Sequence, residues 1–154
     1  SGTTSAAGGR DLKTRIIVKP VIIRWPEEFM FQLSGLEKES GCIYMERLRL
    51  IYDSPIFFDI SYIPNINFPR ITSRQFENRS LFNILREHYN IEIRGGEQRI
   101  KAITPPARIR KFLKLAKDQP VLHLERKIET SIGGLYLYSS IFCNTGKYSI
   151  FGRF

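Results

Sequence analysis

The nineteen residues ERLRLIYDSPIFFDISYIP, Glu46 to Pro64, decide how the chain folds. They lie within two apolar-rich runs, Cys42 to Tyr52 and Ile56 to Ile63, separated by Asp53-Ser54-Pro55, which is turn chemistry between strands. The segment therefore predicts a β-hairpin. Arg47 and Arg49 stand two apart in its first strand, so both guanidinium groups leave one face, together with Met45 and Ile51. Two arginines beside apolar residues are expensive unless something anionic neutralises them. With a three-residue loop, Asp59 falls opposite Arg49 on that face, and a one-residue change of register would carry it to the other side. One reading is a plain cross-strand Arg49 to Asp59 ion pair with Arg47 in solvent. The other is a pocket, in which the arginine forks and a helix N-terminus hold a phosphate or carboxylate.

Outward from the hairpin, Ser80 to Tyr89 carries Leu81, Ile84, Leu85 and Tyr89 at helical spacing, with Ser80 as N-cap. Ile91 to Ile103 is extended around a Gly95-Gly96 interruption, a bulge or tight turn. Thr104-Pro105-Pro106 starts a helix with the core stripe Ile109, Phe112, Leu113 and Ala116, and Arg108, Lys111 and Lys114 on its solvated face. Val121 to Thr130 and Leu135 to Cys143 form a second hairpin across Ser131-Ile132-Gly133-Gly134, followed by an extended stretch from Tyr148 to Phe154. Upstream, Lys13 to Arg24 reads as a strand whose Pro20 suggests an edge or bulge, and PEEFMFQL, from Pro26 to Leu33, as a short helix. These elements predict the α+β class: a mostly antiparallel sheet of about six strands with three helices. The uncharged stretch SGTTSAAGG opens the chain, so residues 1–11 read as a linker or expression scar and residues 12–154 as one domain.

The 154 residues, 42% hydrophobic and 12% aromatic, suffice for one core. A net charge of +9 attracts anions of any size, but the cations are spread along the chain and not gathered on one stripe as in a dedicated nucleic-acid module. Cys42 and Cys143 form no CxxC pair and stand near no histidine at metal-ligand spacing, which argues against zinc. Without a signal peptide or a long apolar run, the expected home is the cytoplasm. No GxSxG, Walker A, GxGxxG or HExxH motif is present, and His88 and His123 read as structural. Neither catalysis nor a cofactor is expected.

Four segments, in order, resemble the UTRA domain of GntR-family transcription regulators, HutC-like branch. Glu46 to Pro64 resembles its Arg-x-Arg strand, turn, proline, acid and Tyr-x-Pro ending. RSLFNILREHYNIEI, Arg79 to Ile93, resembles its Ser-Leu-Tyr helix and next strand. ARIRKFLKLAKDQPVLHLERKI, Ala107 to Ile128, and GGLYLYSSIFCNTGKYSIF, Gly133 to Phe151, resemble its later helix, Pro-Val-Leu-x-Leu-x-Arg strand and terminal hairpin. The resemblance implies a chorismate-lyase-like fold that binds a small metabolite and adjusts operator binding by a winged helix-turn-helix domain. That DNA-binding domain is not in this chain, which is expected to be the sensing part of a longer protein and, in support of a two-fold operator, a homodimer.

By the same resemblance, Arg47, Arg49 and Ser80 match the family's anion site and Asp59 its acidic position facing the rest of the ligand. Phe82 stands where many members have tyrosine, Tyr138 where glutamate is frequent and Gly146 where aspartate is common, which leaves room for a ligand with fewer hydroxyls or another shape; the expected effector is a small anionic metabolite, phosphorylated and of the sugar-phosphate kind, between the strand of both arginines and the helix start at Ser80. Asp59 and Tyr138 are expected to contact its uncharged part, and alanine at Arg47 or Arg49 to weaken binding while changing stability little. Two alternative functions remain: a lyase acting on an aromatic carboxylate in the same implied fold, which would also want arginines and an acid in a closed cavity, and a basic nucleic-acid binder.

Overall fold

A computed structural model describes residues 12–146 and 148–153; the expected linker over residues 1–11 falls outside them. In chain order the elements are β1 (Leu12–Ile23), α1 (Gly35–Ser40), β2 (Cys42–Ile51), β3 (Ser54–Pro64), α2 (Leu81–Tyr89), β4 (Ile93–Ile103), α3 (Ala107–Leu113), β5 (Val121–Thr130) and β6 (Tyr136–Cys143), with a 3-10 turn at Ile71–Ser73. The six strands form one antiparallel sheet in the order β1-β2-β3-β6-β5-β4. The α+β class and the count of strands and helices are as the sequence predicts.

The decisive hairpin turns on two residues, one fewer than expected. Tyr52 and Asp53 both have positive φ (48° and 63°), a backbone whose twist matches that of paired strands, and pairing resumes at Ile51 with Ser54 and Leu50 with Pro55. A bulge follows, after which Arg49 faces Phe57 and Arg47 faces Asp59. The expected Arg49 to Asp59 pairing is thereby replaced by Arg47 to Asp59. Since the two registers differ by an even number of residues, Asp59 keeps the face shared with both arginines.

Residues opposite one another across a ladder share a face, which sorts the core into two layers. On one face α2 seats Leu81, Ile84 and Leu85 against Ile43, Met45, Ile63, Ile128 and Leu137. On the other, α3 seats Ile109 and Leu113 against Leu48, Phe58 and Phe142. The helix expected over 26–33 does not form. Phe29 instead packs its ring on Trp25, Tyr62 and Tyr138, and the helix starts at Gly35, where Ser34 and Glu37 cap each other reciprocally (Glu37 N–H to Ser34 Oγ 3.2 Å, Ser34 N–H to Glu37 Oε1 3.0 Å). Helix α3 ends at Leu113 because Lys114 turns left-handed, leaving Ala116 beyond it and exposed. Arg108, expected on a solvated face, donates to the buried Glu46 carboxylate at 2.5 Å. The terminal stretch joins no strand over 148–153, but Tyr148 and Ile150 cover a third apolar cluster of Phe57, Leu124 and Ile141. In β4 a register shift separates Ile93 from Gly95, and a Cβ at Gly96 would overlap the Lys127 carbonyl oxygen, so only glycine lets β4 lie so close to β5.

Candidate functional site

On the α2 face a polar diagonal crosses the sheet between two apolar clusters. It runs from Thr14 and Arg49, through Arg47 and Asp59, to Ser61, Ser139, Arg126 and Gln98, each step being a ladder partner or a same-face neighbour one row along. Arg47 Nη2 donates to Asp59 Oδ2 at 3.1 Å, and both residues are only 5% exposed. Arg47 Nε and Asp59 Oδ1 are buried without a hydrogen-bond partner, so the pair is closed on one edge and unsatisfied on the other. Arg126 Nε donates to Gln98 Oε1 at 2.9 Å. Burial pushes the Arg49 and Arg126 guanidinium groups below the ordinary arginine range, and Asp59 draws both back up; Arg47 lowers Arg49 further. Three arginines against one carboxylate leave these four side chains at +2 (three minus one) on a half-buried face. A bound anion would relieve that excess.

The α2 N-terminus is tied to the same corner. Asn78 Oδ1 accepts from the Thr14 N–H at 3.0 Å, and Thr14 is the ladder partner of Arg49. Ser80 is exposed and caps α2 by accepting from the Asn83 N–H at 3.4 Å. Phe82, the second residue of α2, is half-buried and lines a cavity of about 430 Å³ with Ile93, Gly96, Gln98, Arg126 and Ile128. Arg126, Ser61, Ser139 and Thr14 were not singled out by sequence; their only signal is strand parity, which becomes readable once the strand order is known.

Tyr138 is not in this site. It lies opposite Tyr62 on the α3 face, 1% exposed, with its hydroxyl donating to Glu37 Oε2 at 2.7 Å. Burial and the Glu37 carboxylate push its phenol well above the usual range, so it stays protonated as a donor. The expectation that Tyr138 contacts a ligand beside Asp59 is corrected by parity: an even position on β6 faces away from Ser139 and Ile141. Tyr138→Phe should therefore cost about 1–3 kcal/mol of stability by leaving Glu37 short of a donor, and leave effector affinity within twofold. Calorimetric titration checks the second part, and a loss of tenfold or more would return Tyr138 to the site.

Among the described residues no group of His, Cys, Asp or Glu could hold a metal ion, and Cys42 and Cys143 are free and buried. His88 is exposed; His123 stacks on Phe142 (ring centroids 4.3 Å apart) and shares a 2.6 Å hydrogen bond with Ser140. No helix among the described residues is long and apolar enough to cross a membrane.

Solved structures share this fold. The effector domain of PhnF from Mycobacterium smegmatis matches with a TM-score of 0.84 at 14% identity, over 100% of this chain and 94% of that one. The C-terminal domain of the histidine utilization repressor from Pseudomonas syringae matches with a TM-score of 0.73 at 14% identity, over 93% of this chain and 98% of that one. YydK from Bacillus subtilis matches with a TM-score of 0.73 at 16% identity over 94% of this chain, but the match spans 62% of YydK, less than two thirds of its length. No curated protein matches the chain. The fold is that of these effector domains. The chain belongs to the UTRA domain family, which matches residues 7–149.

Proposed function

We propose that the chain is the effector-binding domain of a GntR-type transcription regulator and takes a small anionic metabolite, phosphorylated or carboxylated, on the polar diagonal beneath α2. The observation that carries this reading is the gathering of Arg47, Arg49 and Arg126 around one carboxylate, Asp59, next to the tethered start of α2. Arg49 and Arg126 supply the forked donors and Arg47 stays bound to Asp59. Ser80 and the first N–H groups of α2 close on the anion, and Phe82, which has no hydroxyl to offer it, packs on the ligand's apolar part. In the whole protein the effector would favour one arrangement of two attached DNA-binding domains, by no more than its affinity difference between arrangements. A homodimer in the cytoplasm, returning its ligand chemically unchanged, fits this role.

A thermal-shift screen with phosphorylated sugars, amino acids and small carboxylates tests it. An effector at about a hundredfold its Kd adds about 2.7 kcal/mol, a rise of roughly 5–10 °C in midpoint for a domain of this size. A screen in which no anion moves the midpoint, or a ligand that is recovered converted, would sink the reading; conversion would favour a lyase.

A further inference from the structure

Between Glu97 and Asp118 the chain carries seven lysines and arginines and no acid. The cations are spread over the sequence as a whole, but the fold draws this run to one side. Lys101 of β4 stands opposite His123, and His123 opposite Phe142, which α3 covers, so the lysine and the helix share a face of the sheet. Four of the seven are engaged. Arg108 is bound to Glu46, Arg110 donates to the Pro105 carbonyl, and Arg99 and Lys101 share Glu125. Lys111, Lys114 and Lys117 are exposed and, among the described residues, form no ion pair. They follow Arg108 at intervals of three, along the outer side of α3 and the turns after it.

Bare charges of one sign repel each other, and an opposing polyanion relieves them. The surroundings say which polyanion fits. A membrane surface holds helices that offer apolar residues beside their cations, and α3 has none to offer: Ile109 and Leu113 are buried, and Phe112 and Leu115 pack on the same cluster. Base edges are read by forked donors, and the forks of Arg108 and Arg110 are already taken. The lysines that remain are point charges on flexible stems, suited to a row of phosphates whatever the sequence beneath it.

We infer that the outer side of α3, through Lys111, Lys114 and Lys117, is a sequence-independent contact for the phosphate backbone of duplex DNA. The inference takes its partner from the regulator reading above: in the whole protein this surface holds the effector domain against DNA beside the operator. It uses no residue of the effector site.

A short fluorescent duplex of arbitrary sequence, titrated with this chain and followed by anisotropy, tests it. Three neutralised phosphates give a slope of log affinity against log salt of about −2.7, so binding should weaken about fortyfold between roughly 50 and 200 mM salt. Changing Lys111→Gln, Lys114→Gln and Lys117→Gln together should remove that slope and weaken binding about tenfold or more at the lower salt. Lys13→Gln, Arg15→Gln and Lys19→Gln together remove as much charge from exposed positions of β1 and should leave binding within about twofold. Equal weakening by the two triple variants would assign binding to net charge and overturn the surface. So would a strong preference for one duplex sequence, an absence of binding at the lower salt, or tighter binding to vesicles of phosphatidylserine and phosphatidylcholine than to the duplex. A chain that loses this surface but gains thermal stability from an anion keeps the effector reading; one that binds duplex through α3 and responds to no anion keeps the surface and loses that reading.

Discussion

Arg47→Ala is expected to lower the unfolding free energy by about 3–5 kcal/mol, because it strands the Asp59 carboxylate at 5% exposure without its partner. The pair itself has no such net worth: two charges taken out of water lose most of what they gain from each other, and here Arg47 Nε and Asp59 Oδ1 go unsatisfied as well. Replacing both members, as in Arg47→Met with Asp59→Leu, should therefore recover most of the stability lost by the single change. Urea unfolding followed by circular dichroism measures all three proteins. A loss under about 1 kcal/mol for Arg47→Ala would mean that Asp59 is compensated from elsewhere, with Arg126 the nearest claimant. The larger loss would replace, for Arg47, the expectation drawn from sequence that alanine at either arginine leaves stability little changed. Arg49 keeps that expectation because it faces Phe57 and keeps part of its surface in water.

What the sequence disclosed follows from how far each signal depends on partners distant in the chain. Helix α2 was legible from its own nine residues, since the apolar spacing and the Ser80 cap are both local. The hairpin was legible as a hairpin, but Pro55 drew the turn to Asp53-Ser54-Pro55, whereas the chain turns at Tyr52-Asp53 and admits Pro55 to the strand. The face of Asp59 survived that error and its partner did not. The Ser34 to Glu37 capping box was in plain view, yet Phe29, Met30 and Leu33 drew the helix upstream. What moved it was the aromatic wall of Tyr62 and Tyr138, residues 33 and 109 positions beyond Phe29 (62 minus 29 and 138 minus 29). Arg126 and Tyr138 needed more still. Which face of the sheet each one meets depends on the order β3-β6-β5, and a single strand's alternation tells only that successive residues point apart.

That same strand order makes Arg126 the residue on which the effector reading can be tested apart from the fold. Arg126→Ala and Arg49→Ala should each weaken the effector found in the screen by roughly ten- to a hundredfold, about 1.5–3 kcal/mol for a charge-assisted hydrogen bond. Stability should change by less than about 1 kcal/mol, since each guanidinium is disfavoured by its own burial and its removal leaves Asp59 still bound to Arg47. Arg126→Lys should restore the charge but not the fork, and so recover only part of the affinity. Titration calorimetry on folded variants reads these differences directly. If Arg49→Ala and Arg126→Ala both bind the effector as the unmodified chain does, the anion is held elsewhere, and the polar diagonal is a structural network that happens to carry excess positive charge.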